Sequence, residues 1–596
     1  MTGKRLFGLA ILAVTAALPV AGWLRAGGKE IALGATIPNL TFKDIHYLPR
    51  SLDDFGKKKA FVLVFTNTTC PIVQRSLPTL QALEKEYRAK GVQFVAVNVG
   101  ADDSIIQVAA QAVRFEMEFP FVKDTDFSCA EALGVKRTPE VAVLDGERRL
   151  RYRGRIDDQH RLGGSRAAPT QQPLKDALDA ILAGKEVPTK ETPVDGCPIT
   201  RPEPKRPARA VTFAEHVAPI FRKHCQGCHR PGTAAPFSLV TYKDATAHAN
   251  VVAEVVAEGR MPPWFAAPGH GDFVNKRGLT AEERDTVADW VRSGTPLGDE
   301  SKLPPALPEI AKPSKWAIGT PDLIVEAPRH ELPATGDIDY YYAVLPHVFT
   351  EDTWLQAVQI LPDNPRTVHH CNMVFFNLKE GFKQANFVTG YVPGNGPMNL
   401  PDGIAFRMPR GSSPALQIHY VSTGKPEKCR VSVGFKFAKG DVQKRLQHLL
   451  LYDTKFAIPP GAPAHRVEHS RTLDCDAEGV ALFVHMHLRG RDMSFIAHYP
   501  DGKDETLLVV PNYSFDWQMP YRWATGKKCF PKGMRLEAIA HYDNSKFNPF
   551  NPDPTATVRE GQQTKHEMMN GYFFYTDANE QLNMRVDPKT GHAEKK

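Results

Sequence analysis

Two proline-rich, charge-mixed stretches set the first limit on what this chain can fold into: Glu191 to Arg209 (ETPVDGCPITRPEPKRPAR) and Ser301 to Trp316 (SKLPPALPEIAKPSKW). Neither carries a hydrophobic period, and proline at this density breaks helices and removes ladder donors. Both read as extended connectors. They divide the 596 residues into segments of about 160, 90 and 280, which makes the chain multidomain. Within those segments 42% hydrophobic and 24% charged residues are ordinary globular material. That composition excludes disorder, collagen, coiled coil and a polytopic membrane protein. The net charge of +7 comes from 74 basic and 67 acidic side chains with no basic stripe, so no nucleic-acid partner is expected.

Lys4 and Arg5 precede an uncharged run from Leu6 to Leu24, closed by Arg25. This is the pattern of an export signal over residues 1–28, with small residues near Val20-Ala21-Gly22 for cleavage. Left uncut, the run is just long enough to anchor the chain in a bilayer. The expected location is therefore the periplasm or cell envelope, with any membrane contact only through that anchor.

From 29 to 190, strand and helix signals alternate. Ala60 to Thr66 and Val92 to Asn98 are apolar, β-branched runs suited to strands buried on both faces, with a helical pattern between them. That order predicts an α/β sandwich. Cys70-Pro71 sits between the first strand and its helix, and Thr138-Pro139 precedes a later strand. On these residues the segment resembles the thioredoxin and peroxiredoxin superfamily, which implies a cis proline facing the cysteine. A thiol at a helix N-terminus favours its thiolate, so Cys70 is a candidate redox thiol. The usual Cys-x-x-Cys partner is replaced by Val73, and Asn67 stands where the peroxidase branch has threonine. Either Cys129 or Cys197 would be a distant partner, and an inactive docking domain is the competing expectation. Residues 191–210 form the connector that follows.

His224-Cys225-Gln226-Gly227-Cys228-His229 is the strongest short signal. Two thiols three residues apart add to the vinyl groups of haem, and the adjacent imidazole ligates iron. A zinc half-site is the alternative, but no second Cys/His pair lies nearby. An amphipathic stretch, Phe213 to Lys223, leads in, and Leu279 to Val291, capped at Thr280, closes the segment. Residues 211–298 resemble a small, all-α class I c-type cytochrome. That resemblance calls for a distal ligand, for which Met261 is favoured over His248 and His270. A connector at 299–319 follows, expected to tether the haem segment loosely to the rest.

The last 280 residues or so alternate like antiparallel strands, with turn signals at short intervals. His369-His370, His419, the pair His485 and His487, and Met568 fall on or beside these strands. Residues two apart on a strand face the same way, so His485 and His487 can share one metal. An adjacent pair such as His369-His370 can do so only where the strand bulges. Imidazoles with a thioether select copper, which soft sulfur and nitrogen hold in both oxidation states, with zinc the alternative for the all-histidine set.

The histidine pair, Gln417-Ile-His-Tyr420, His485-Met-His487 and Glu567-Met568, in that order, resemble the copper type II, ascorbate-dependent monooxygenases, including the peptidylglycine α-hydroxylating and dopamine β-monooxygenases. The resemblance implies two jelly-roll-like β-sandwich subdomains, 320–450 and 451–596. It implies an electron-storing copper on His369, His370 and His419, and an O2-binding copper on His485, His487 and Met568 across a wet cleft. Met569 competes with Met568. The arginine that clamps a peptide carboxylate in the amidating branch is Phe483 here, although Asn570 and Tyr572 occupy that branch's other contact positions, so peptide amidation is not expected. Cys371 with Cys429, and Cys475 with Cys529, are candidate disulfides in an oxidising compartment. The sequence thus points to an exported monooxygenase with two coppers and one covalent haem. It would take O2, electrons from an external donor and a small-molecule or peptide substrate. A copper-binding, sensing or electron-transfer protein without turnover is the alternative.

Overall fold

A computed structural model describes residues 32–161, 163–201, 210–231, 233–305, 316–336, 338–377 and 386–595. The N-terminal leader, part of the first connector and most of the second lie outside the described residues. Among those described, no helix is long and apolar enough to cross a membrane.

The first segment forms strands β1 (Thr41–Asp44), β2 (Pro49–Ser51), β3 (Ala60–Thr66), β4 (Val92–Asn98), β5 (Phe121–Lys123), β6 (Arg137–Thr138), β7 (Glu140–Asp145) and β8 (Leu150–Gly154). Its helices are α1 (Pro71–Arg88), α2 (Ile105–Arg114), α3 (Ser128–Leu133) and α4 (Pro173–Leu182). Seven strands make one sheet in the order β2-β1-β5-β4-β3-β7-β8, with β3, β4 and β5 parallel. Every residue of β3 is buried, because both faces are covered. Val62 and Val64 pack with Leu77, Leu80, Val108 and Leu178 from α1, α2 and α4. Phe61, Leu63 and Phe65 point the other way, to Ala130 and Leu133 of α3. This is the period-2 alternation of a strand, with apolar side chains on both sides.

The second segment is helical: a π-turn at Phe213–Val217 runs into α5 (Ala218–His224), followed by α6 (Tyr242–Ala247), α7 (Ala249–Ala257) and α8 (Ala281–Arg292). A capping box between Thr280 and Glu283 starts α8. Phe213 and Phe221 close on Trp290, with ring centroids 5.6 and 6.4 Å away, so the first and last helices lock together.

The remainder is β-rich. A four-stranded sheet (Tyr341–Val344, Ser412–Tyr420, Val368–Asn377, Phe387–Tyr391) packs on a six-stranded one built around Thr353–Pro362 and Val431–Phe437. A second sandwich follows, from a sheet centred on Ala477–His485 and Asn570–Asp577 and another centred on Gly490–His498 and Arg535–Tyr542. The chain end does not stay with the second sandwich. Met584–Val586 pairs with Gly440–Val442, and Trp354 donates to the Gly591 carbonyl.

Contacts among the described residues hold the pieces together. Cys197–Pro198 pairs with β6, and Arg153 binds Glu191, so the first connector is stapled to the first domain. Phe265, Ala266 and Phe273 of the helical segment belong to the core of the second sandwich. The Ala267 N–H donates to the Val509 carbonyl at 2.8 Å. Phe55 stacks on Phe547 at 4.6 Å, and Arg491 donates to the Met117 carbonyl. The helical segment is thus docked on the second sandwich through its own loop, because aromatic side chains there find an apolar core to enter.

Candidate functional site

His369, His370 and His419 form a triangle with ring centroids 5.2, 5.0 and 5.1 Å apart. One ring nitrogen from each lies within 4.8 Å of the others. The strand does this by a bulge: its register against Ser412–Tyr420 shifts between Val368 and His370, and His370 ends directly opposite His419. That irregularity swings adjacent side chains to one face. His370 is 1% exposed, and burial pushes its imidazole well below the usual range. Burial brings His419 to about 4. Neutral imidazoles are ready ligands without proton release. The His369 and His370 Nδ1 atoms are 3.0 Å apart, and His419 Nδ1 is buried without a hydrogen-bond partner. A buried imidazole nitrogen left without a partner is costly, and three ring nitrogens this close together can share one cation, so this donor set fits a metal.

His485 and His487 have ring centroids 5.2 Å apart and both are buried. Each is oriented through Nδ1: His485 by Gln518 Oε1 at 2.7 Å, His487 by the His566 carbonyl at 3.3 Å. Their Nε2 atoms are left for a ligand, as metal-binding imidazoles require. Met568 lines a cavity with His485, whereas Met569 is 1% exposed inside the hydrophobic core. The position of its side chain favours Met568 as the third donor. Glu567 is fully buried, accepts from the His487 and Arg489 N–H groups at 2.9 and 2.6 Å, and is pushed by burial up to about 8.

The two sets are contiguous. His370 and His485 are 6.3 Å apart, with Phe515 against His370 and His487, and the Tyr340 hydroxyl 3.2 Å from His370 Nε2. Phe515 and Tyr340 each pack against histidines of both sets. The cavity of about 310 Å³ beside Met568 is lined by Phe387, Phe483, Asn570, Tyr572, Gln417 and their neighbours, with no charged side chain among the described residues.

Sequence reading missed the turn Ser514–Gln518, which touches all of this. Phe515 stacks on His369 at 5.0 Å, Asp516 Oδ1 lies 2.7 Å from His369 Nε2, and Gln518 holds His485. Trp517 and Cys228 both lie beside Gly394: a Cβ there would be 3.8 Å from the ring and 3.4 Å from the sulfur. A carboxylate flanked by two aromatics, Phe515-Asp516-Trp517, was the available signal.

In the helical segment Cys225 is half-buried and Cys228 exposed. His229 Nδ1 lies 3.1 Å from the Phe237 carbonyl, which leaves Nε2 free. Two thiols at this spacing with such an imidazole fit covalent haem. Met261 follows α7, held through its N–H to the Val255 carbonyl. His248 stacks on Phe237 at 4.0 Å, near His229. His270 lies instead near Arg114 and the Thr506 backbone.

Cys70 caps α1, with the cis peptide Thr138-Pro139 beside it and its sulfur 3.4 Å from the Thr138 carbonyl oxygen. Asn67 accepts from the Cys70 N–H and donates to Thr138 Oγ1. Of the two candidate partners the structure selects Cys197, whose sulfur lies 2.7 Å from that of Cys70. Cys129 belongs to the core on the opposite face of the sheet, directed at the Thr41 carbonyl. The two bridges expected further on are not formed: Cys371, Cys429, Cys475 and Cys529 are free thiols. Cys371 and Cys429 share one core, yet the Cys429 sulfur is directed at the Asn364 carbonyl.

A family model described as Redoxin matches residues 32–167. The thiol-disulfide oxidoreductase ResA of Geobacillus thermodenitrificans is 32% identical over 115 residues, 19% of this chain and 64% of that protein. Its Bacillus subtilis counterpart is 31% identical over 122 residues, 20% of this chain and 66% of that protein. The chain thus spans just under two thirds of the length of these relatives. A hypothetical protein from Sinorhizobium meliloti is 29% identical with a TM-score of 0.27, covering 30% of this chain and 98% of that one. The residues matched, the helix-capping Cys70 and the sheet that carries it agree: the N-terminal domain of this chain is a redoxin-type, thioredoxin-like α/β domain.

Proposed function

We propose that the chain is an exported oxidoreductase whose β-rich half is a two-copper monooxygenase, supplied with electrons through a c-type haem on its helical segment. The observation that carries this reading is the convergence of His369, His370 and His419 on one buried point, directly beside His485, His487 and a Met568-lined cavity. The overall reaction inserts one oxygen atom: C–H + O2 + 2 e⁻ + 2 H⁺ gives C–OH + H2O.

His369, His370 and His419 would hold one copper, and His485, His487 and Met568 the other. Bound copper would supply one-electron chemistry and O2 activation, with the thioether favouring the reduced state. The chain's own residues do the rest. Gln518, Asp516 and the His566 carbonyl fix the imidazole orientations. Phe515 and Tyr340 pack against histidines of both sets and hold the rings in place. Among the described residues the cavity offers aromatic walls and amides but no counter-charge, which suits an uncharged, largely apolar substrate. Phe483 in that wall argues against a carboxylate-bearing peptide.

Cys225, Cys228, His229 and Met261 would hold the haem, which supplies single electrons. Cys228, which would anchor it, lies beside Gly394, as does Trp517, the sequence neighbour of the Asp516 that contacts His369. Copper titration of the full chain, followed by electron paramagnetic resonance, tests this function. Two coppers per chain in distinct environments support it, and one copper or none rejects it.

A further inference from the structure

We propose that Cys70 and Cys197 are a reversible dithiol–disulfide pair in which Cys197, carried by the connector, is the sulfur attacked by an external thiol and Cys70 is the leaving group. Neither the copper sets nor the haem motif enters the argument, so it stands apart from the function proposed above.

The pairing is built by the backbone. Cys197–Pro198 forms an antiparallel pair with β6, placing Cys197 opposite Thr138, immediately before cis Pro139. Arg137 grips the Gly196 carbonyl at 2.6 Å, and a Cβ at Gly196 would run into the Thr138 carbonyl, so glycine is what lets the strand approach. The two sulfurs end 2.7 Å apart, across 127 residues of sequence, where Val73 leaves α1 without a nearby second thiol.

The two thiols are unlike. Cys70 is 1% exposed. Burial alone would push its thiol up, but the Cys197 thiol and the N–H groups of Val73 and Ile72 at the helix start outweigh it and bring Cys70 below the usual range. Cys197 is partly exposed and is pushed up to about 11 by burial and its neighbour. In exchange, the accessible sulfur is attacked and the sulfur that better carries negative charge departs. An external thiolate therefore bonds to Cys197 Sγ, the Cys70–Cys197 bond breaks, and its electron pair leaves on Cys70. A second thiol of the same external dithiol then displaces Cys197 from the mixed disulfide. Two electrons and two protons pass from the dithiol, which becomes a disulfide, to the pair. The reverse run oxidises a substrate dithiol.

The test uses the full chain, mildly oxidised with diamide and mapped under non-reducing conditions. One cross-linked peptide carrying Cys70 and Cys197 is expected, lost in Cys70→Ser and in Cys197→Ser, and titrating against dithiothreitol as a two-electron couple. Brief exposure of the oxidised protein to glutathione, then acid quench, should leave glutathione on Cys197 with Cys70 free. A Cys70–Cys129 bridge or no bridge overturns the pair, and glutathione found on Cys70 instead overturns the direction of attack.

Discussion

Asp516 Oδ1 lies 2.7 Å from His369 Nε2, a contact that ties a loop of the second sandwich to the histidine triangle of the first. That hydrogen bond also holds the Asp516 carboxyl below its usual range. With Nε2 engaged, His369 presents Nδ1 to the triangle, where His370 Nδ1 already lies 3.0 Å away.

Replacing Asp516 with Ala should therefore weaken copper at the first set by about 10- to 100-fold, the usual cost of losing an orienting partner. The second set, held by Gln518, should be unaffected. Competition titration with a copper chelator checks both.

Met568 and Met569 make an internal control. Met568→Ile removes the cavity-lining thioether, and X-ray absorption of copper(I)-loaded protein should lose its sulfur scatterer. Met569→Ile, in the core, should keep that signal and cost under about 1.5 kcal/mol of stability.

Trp517 shares the neighbourhood of Gly394 with Cys228 and is next in sequence to Asp516, which contacts His369. Mixing oxidised, copper-loaded protein with a haem-specific reductant should reduce haem first, then reoxidise it as copper bleaches, at a rate independent of protein concentration. Trp517→Ala should slow the second phase, and His369→Ala should leave haem reduced. A rate that scales with protein concentration contradicts delivery within one chain.

Glu283 supplies a pH signature for the helical segment. Burial opposes its charge, but the Thr280 N–H, His224 and Lys223 outweigh it and hold it at about 2. A depressed carboxyl contributes stability above its unfolded value, near 4.3, and loses it as pH falls through 2. Glu283→Gln should cost about 1 kcal/mol at pH 6, after discounting for partial solvent screening, and that cost should shrink steadily as pH falls from about 4 toward 2. Thermal melts across that range check it.

Much of this was legible in the sequence because it rests on short-range rules. Val62 and Val64 against Phe61, Leu63 and Phe65 announce a doubly covered strand. The need for a bulge at His369-His370 follows from strand geometry alone, and the structure has one there. What could not be read was proximity between distant residues. Nothing local says that Cys197 returns to Thr138, or that Asp516 reaches His369 across 147 residues. Nor does periodicity reveal that Phe265 and Phe273, in a loop of the helical segment, enter another segment's core.

Reductant-dependent O2 uptake by the full chain, loaded with two coppers, addresses the proposed monooxygenase most directly. Uptake should require copper, rise with an uncharged apolar substrate, and disappear in both His419→Ala and Met568→Ile while the haem spectrum stays unchanged. Absence of uptake in the fully loaded wild type, or uptake that survives both substitutions, would contradict it.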